Sequence, residues 1–151
     1  MRTYARDKEG QFASTGGTGG GAGGGSSANS KDATTLDSGS KIASDAIPKM
    51  EKAVSEGYAG EGLDRYQKLK DVISETAQKL DPHAKILEKA AKSKTLDSAT
   101  KDDAMMTAMS IRGWQKLRYP TTQDNIAFAQ VRQMKDISDK LASVAAKLAS
   151  Q

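Results

Sequence analysis

The stretch that most constrains this chain is Gly16–Gly25, which reads Gly-Gly-Thr-Gly-Gly-Gly-Ala-Gly-Gly-Gly and holds eight of the 14 glycines in a 151-residue sequence. Glycine loses more backbone freedom on ordering than any other residue and brings no side chain to a core. The run therefore predicts a flexible joint that divides a short polar peptide, 1–15, from a larger C-terminal part. Residues 26–40 are rich in Ser, Thr, Asn and Asp and show no apolar periodicity, so the expected linker extends over 16–40 and leaves 41–151 as the folded domain.

Beyond the linker the chain is built from helix formers. It is 36% hydrophobic overall, leaning on alanine, and 28% charged, with few aromatic or β-branched residues to favour strands. This points to an all-α fold, a four- to five-helix bundle behind a flexible Gly/Ser-rich N-terminal arm. Helical spacing starts at Ile42, Ala46 or Ile47, Met50 and Val54, with Pro48 expected in the first turn and Gly57 and Gly60 as the stop. From Gly62 to Leu80 the apolar residues Leu63, Tyr66, Leu69, Ile73, Ala77 and Leu80 form one stripe. Asp81-Pro82 reads as an N-cap and first-turn proline opening a short helix to about Lys92, with Ile86, Leu87, Ala90 and Ala91 inward.

Thr100-x-x-Asp103 resembles a capping box for the next helix. That helix would turn Ala104, Met105, Ala108, Met109, Gly113 and Leu117 to the core and stop before Tyr119-Pro120. Thr121 or Thr122 is the expected cap of the last helix. There Ala127, Val131, Met134, Ser138, Leu141, Ala145 and Leu148 keep a strict 4-3 alternation. Ala127, Ser138 and Ala145 make this a weak zipper, which favours packing inside an antiparallel bundle over a homo-oligomer through the C-terminal helix.

Several chemistries are excluded by residue type. With no cysteine, disulfides, thiolate metal sites and cysteine nucleophiles are out. The single histidine, His83, stands in the first turn of a helix and is expected to be exposed; alone it makes neither a zinc site nor a triad. The glycine run comes after no strand and leads to no Gly-Lys-Ser/Thr, so it is no phosphate loop, and Ser38-Gly39-Ser40-Lys41 matches SxxK only by its two fixed positions. Asp102 and Asp103 point about 100° apart on a helix and do not converge. The expectation is a protein that is not an enzyme, with no catalytic, cofactor or metal residues. No apolar run is long enough for a membrane span, and the N-terminus has no export signal.

The net charge of +4 lies in the helical part, because residues 1–40 balance at four basic and four acidic. Dispersed lysines account for so mild an excess; nucleic acid is a possible partner and not the favoured one. The densest recognition candidate is 111–119, where Arg112, Trp114, Arg118 and Tyr119 combine cations with aromatic area. The competing reading makes Trp114 the one large core residue of an alanine-rich bundle, Gly113 the site of close helix approach, and Met105, Met106, Met109 and Met134 core filling.

Residues Arg6 to Ser14, Arg-Asp-Lys-Glu-Gly-Gln-Phe-Ala-Ser, with the glycine run after them, resemble the RDxxGRF segment of capsid-assembly and virion proteins of tailed bacteriophages, with Gln11 where that family usually has arginine. The resemblance implies a structural protein of the virion, assembled in the host cytoplasm, whose partners are capsid, portal or tail subunits. On physical grounds too, the arm would engage a neighbouring subunit through Arg6, Asp7 and Phe12, with Arg6 able to pair with a carboxylate, Gly10 permitting a tight turn and Phe12 able to fill a pocket on the partner. Two alternatives stay open: a host-directed protein whose basic helical body binds DNA or a host factor, and a helical scaffold that self-associates.

Overall fold

The computed structural model describes the backbone of residues 23–151 and the side chains of 29–151. The expected docking peptide, with Arg6, Asp7, Gly10 and Phe12, lies outside the described residues. Five helices succeed one another: α1 (Gly23–Ala59), α2 (Gln67–Lys79), α3 (Asp81–Ala90), α4 (Ser98–Gln115) and α5 (Asp124–Ala149). No strand occurs among the described residues, so the fold is all-α.

Helices α1 and α5 form an antiparallel pair, the most extensive contact of the bundle. Its seam carries all seven expected positions of α5, from Ala127 to Leu148, and each is buried. The α1 side of the seam corrects the expected linker. Residues 33, 36, 40, 43, 47, 50 and 54 repeat in a 3-4 alternation, so α1 begins at Gly23 and 29–40 are part of the core helix. Ala33, Leu36, Ala43, Met50 and Val54 are buried. The physical reason is tertiary: burial of one small-residue stripe outweighs the low intrinsic helix propensity of Gly, Ser, Thr and Asp, which costs only tenths of a kcal/mol per residue for all but glycine.

Register in this pair is fixed at three places. Ser40 and Ser138 exchange hydrogen bonds at the centre, Asn29 donates to Gln151 at 3.1 Å at one end, and Lys135 pairs with Glu51 at 3.6 Å towards the other. Pro48, expected at a helix start, lies inside α1 instead. The helix continues through it because the seam residues on both sides stay buried.

Helices α3 and α4 make a second antiparallel pair, and α2 bridges α1 and α4. Helix α2 starts at Gln67, five residues later than expected; Leu63 is exposed, while Tyr66 is completely buried against Gly57. Three expected caps are replaced. Asp81 is the first residue of α3, with Leu80 before it, and its carboxylate serves α4. The cap of α4 is Asp97, whose carboxylate accepts from the Thr100 amide at 3.2 Å and from its hydroxyl at 2.6 Å. At α5 the cap position is Gln123, whose amide donates to Thr121 Oγ1 at 3.1 Å, and Asp124 supplies the negative charge that the helix dipole favours in the first turn. No helix among the described residues is long and apolar enough to cross a membrane.

Candidate docking surface

Arg112 is held by structure and is not free for a partner. From α4 its guanidinium reaches across to α3, donating to both oxygens of Glu88 at 3.1 and 3.0 Å and to Asp81. Gln115, one turn along, donates to Asp81 Oδ1 at 3.0 Å and to the Ala77 carbonyl at 3.1 Å and accepts from Arg112 at 3.0 Å. A planar guanidinium bound through both edges is a rigid clamp, and the α3–α4 pair is set by it. Hydrogen bonding to Arg112 holds the Asp81 and Glu88 carboxyls below the usual carboxylate range, and those same bonds push Arg112 up.

Trp114 is buried in the core on the far side of α4, so the expected cluster of Arg112, Trp114, Arg118 and Tyr119 does not meet on one surface. Arg118 and Tyr119 stay exposed, beyond the end of the helix. Sequence spacing could not separate these roles, because α4 carries apolar residues around most of its circumference. Ala104, Ala108, Ile111 and Trp114 face inward. Met105, Met106 and Met109, expected in the core, do not.

These three methionines are 49%, 68% and 66% exposed, whereas Met50 and Met134 are fully buried. Gly113, expected to admit a neighbouring helix, has nothing within 4 Å of where a Cβ would stand. Together with exposed Asp102 and Lys116 they make a second stripe on α4 at 102, 106, 109, 113 and 116, a 4-3-4-3 alternation opposite the core face. Beside it a groove of about 560 Å³ runs between α3 and α4, floored by Ala91, Ala108 and the Met105 and Met109 side chains and bordered by Glu88, Lys92 and Lys116. Unbranched, polarizable methionine can adapt its shape to an apposed surface. The signal for this surface was in the sequence as a second heptad-like spacing, hidden because the inner stripe has the same period.

Two further features lie elsewhere. At the opposite end of the bundle, Tyr66 donates its hydroxyl to Asp124, which also pairs with Arg65 at 3.0 Å; burial and this bond push the Tyr66 phenol up to about 12. Next to it, Tyr58 and Phe128 stack with ring centroids 5.9 Å apart over a groove of about 480 Å³ between α1 and α5. His83, expected to be exposed, is buried under Gly39 of α1; burial pushes its imidazole down, and its Nδ1 has no hydrogen-bond partner. It became buried because α1 extends over α3 where a linker was expected.

Among the described residues, no three His, Cys, Asp or Glu side chains gather into a metal-ligand set. The seam that would have carried self-association through α5 is filled by α1. No protein-family model, curated protein or solved structure matches the chain.

Proposed function

We propose that this chain is a non-enzymatic structural protein of a tailed-phage particle, associated with head, portal or tail, and that it acts by docking to other protein subunits. The observation that carries the docking part is the outer face of α4, where three methionines and a bare glycine are left exposed together. The phage setting rests on the resemblance of residues 6–14 to virion proteins. In this reading the N-terminal peptide engages a neighbouring subunit through Arg6, Asp7 and Phe12, and the glycine-rich run keeps the helical body within reach. The body then makes its own protein contact through α4.

Deleting residues 1–15 tests the setting. Loss of the chain from purified particles is the expected result, and unchanged copy number by mass spectrometry overturns it. Replacing Met109 by lysine tests the surface, because a charge there opposes burial of the face while leaving the core of α4 untouched.

A further inference from the structure

We infer that the outer face of α4 is a self-docking surface, which pairs antiparallel with α4 of a second copy of this chain about a twofold axis at Met109. The inference rests on the reading of that face as a protein contact and names its occupant.

The stripe is complementary to itself when reversed. An antiparallel pair centred on Met109 sets residue 102 against 116 of the other copy and 106 against 113, twice over by symmetry. Exposed Asp102 therefore meets exposed Lys116, and among the described residues neither forms an ion pair within its own chain. Met106 meets Gly113, where the absence of a Cβ leaves the space that a long thioether side chain needs. The two Met109 side chains meet on the axis. A parallel pair would instead oppose Asp102 to Asp102 and Lys116 to Lys116 and leave the glycines facing each other across a gap, so charge and shape select the antiparallel arrangement.

The clamp at Arg112 favours this use of the face. With Glu88 and Asp81 holding Arg112 back against α3, no unpaired guanidinium intrudes beside Met109. The paired stretch from 102 to 116 is about 21 Å long and would bury roughly 900 Å² in total, which places it among weak, concentration-dependent associations.

The test uses the full chain. Sedimentation equilibrium should show the mass rising from 16.0 kDa toward twice that value over roughly 10–500 µM, the range a small interface implies. Asp102→Lys and Lys116→Asp should each weaken association about tenfold, and the double exchange should restore it, since only a facing pair regains its complement. Gly113→Leu should weaken association without lowering the thermal midpoint, because the position is open on its own chain.

The chain has no cysteine, so Met109→Cys offers one thiol; mild oxidation should give a covalent dimer, and Glu75→Cys on exposed α2 should not. A mass that stays at 16.0 kDa throughout this range, with equal cross-linking of the two cysteine variants, overturns the dimer. If Met109→Lys nevertheless loses incorporation into particles, the face docks to a different protein and only the self-docking is overturned.

Discussion

Ser40 of α1 and Ser138 of α5, 98 residues apart, bind each other reciprocally: each hydroxyl donates to the other residue's carbonyl, at 2.8 and 2.9 Å, and the two oxygens lie 3.2 Å apart. A polar pair at a seam position specifies register, because any slip of either helix would bury the hydroxyls against apolar groups. Replacing one serine by alanine removes one bond, and about 0.5–1.5 kcal/mol of stability should be lost. The double variant should lose close to the sum, since each hydroxyl donates to a backbone carbonyl that alanine keeps and only the 3.2 Å contact between the two oxygens couples them. Urea unfolding of the four proteins in a double-mutant cycle measures the coupling.

The same pair shows why the first third of the chain was hard to read from sequence. The α5 stripe is legible because Val131, Met134, Leu141 and Leu148 stand out from polar neighbours. Its complement on α1 is carried by Ala33, Leu36, Ser40 and Ala43, set among Ser, Thr, Gly and Asp that belong compositionally to the glycine-rich run. Only Leu36 is large there, so the 3-4 period exists without the hydrophobic contrast that reveals it. Two thin stripes make one seam together, and neither would be stable alone.

Gly39 and His83 are a second interlocking pair between α1 and another helix. A Cβ at 39 would stand 2.4 Å from the imidazole Cδ2, so Gly39→Ala should destabilise the fold by about 1–3 kcal/mol through overpacking, and adding His83→Ala should recover part of the loss. Burial holds the His83 pKa below its ordinary value of about 6.5. The unfolded chain therefore takes up this proton at a higher pH than the folded one. The stability this adds is present in full above about pH 6.5 and is lost as pH falls towards and through the folded value. Unfolding midpoints between pH 7 and 5 should decline, and His83→Gln should flatten this part of the profile, since the chain has no other histidine.

One guanidinium, that of Arg112, holds both Asp81 and Glu88. With their folded pKa values below the ordinary carboxylate range, their contribution is present above the unfolded values and is lost as pH falls through the folded ones, at and below about pH 4. Arg112→Ala should lower the midpoint at neutral pH and make the acid limb shallower. Arg112→Lys should restore little, since an ammonium cannot bind Glu88 and Asp81 through two planar edges. Thermal unfolding of the three proteins at pH 3 and pH 7 distinguishes this from a mere loss of side-chain packing.

The candidate surface was legible only in part, and α4 shows the reason. Arg112, Trp114 and Tyr119 look alike as interface residues, yet one is clamped to α3, one fills the core and one lies past the helix end. Composition identifies the residue types that interfaces prefer; which face they occupy depends on where α3 and α5 sit. Met105 and Met109 illustrate the converse, since their helical spacing satisfied a core pattern that Ala104, Ala108 and Ile111 had already filled.

Tyr66 links three elements at the far end of the bundle, and its hydroxyl can be removed without disturbing its ring. The ring lies against Gly57 of α1, and the hydroxyl donates to Asp124 in the first turn of α5. Tyr66→Phe should cost about 1.5–3 kcal/mol, the range for a hydrogen bond to a charged acceptor, with Asp124 still paired to Arg65. Gly57→Ala, which would place a Cβ 2.4 Å from the ring, should cost more. The phenol also predicts alkaline behaviour. Its folded pKa of about 12 exceeds the ordinary value of about 10, so its contribution is intact below pH 10 and is lost as pH rises through about 12. Unfolding monitored between pH 9 and 12 should fall more steeply for the natural chain than for Tyr66→Phe; equal slopes would show that the hydroxyl is not held by Asp124.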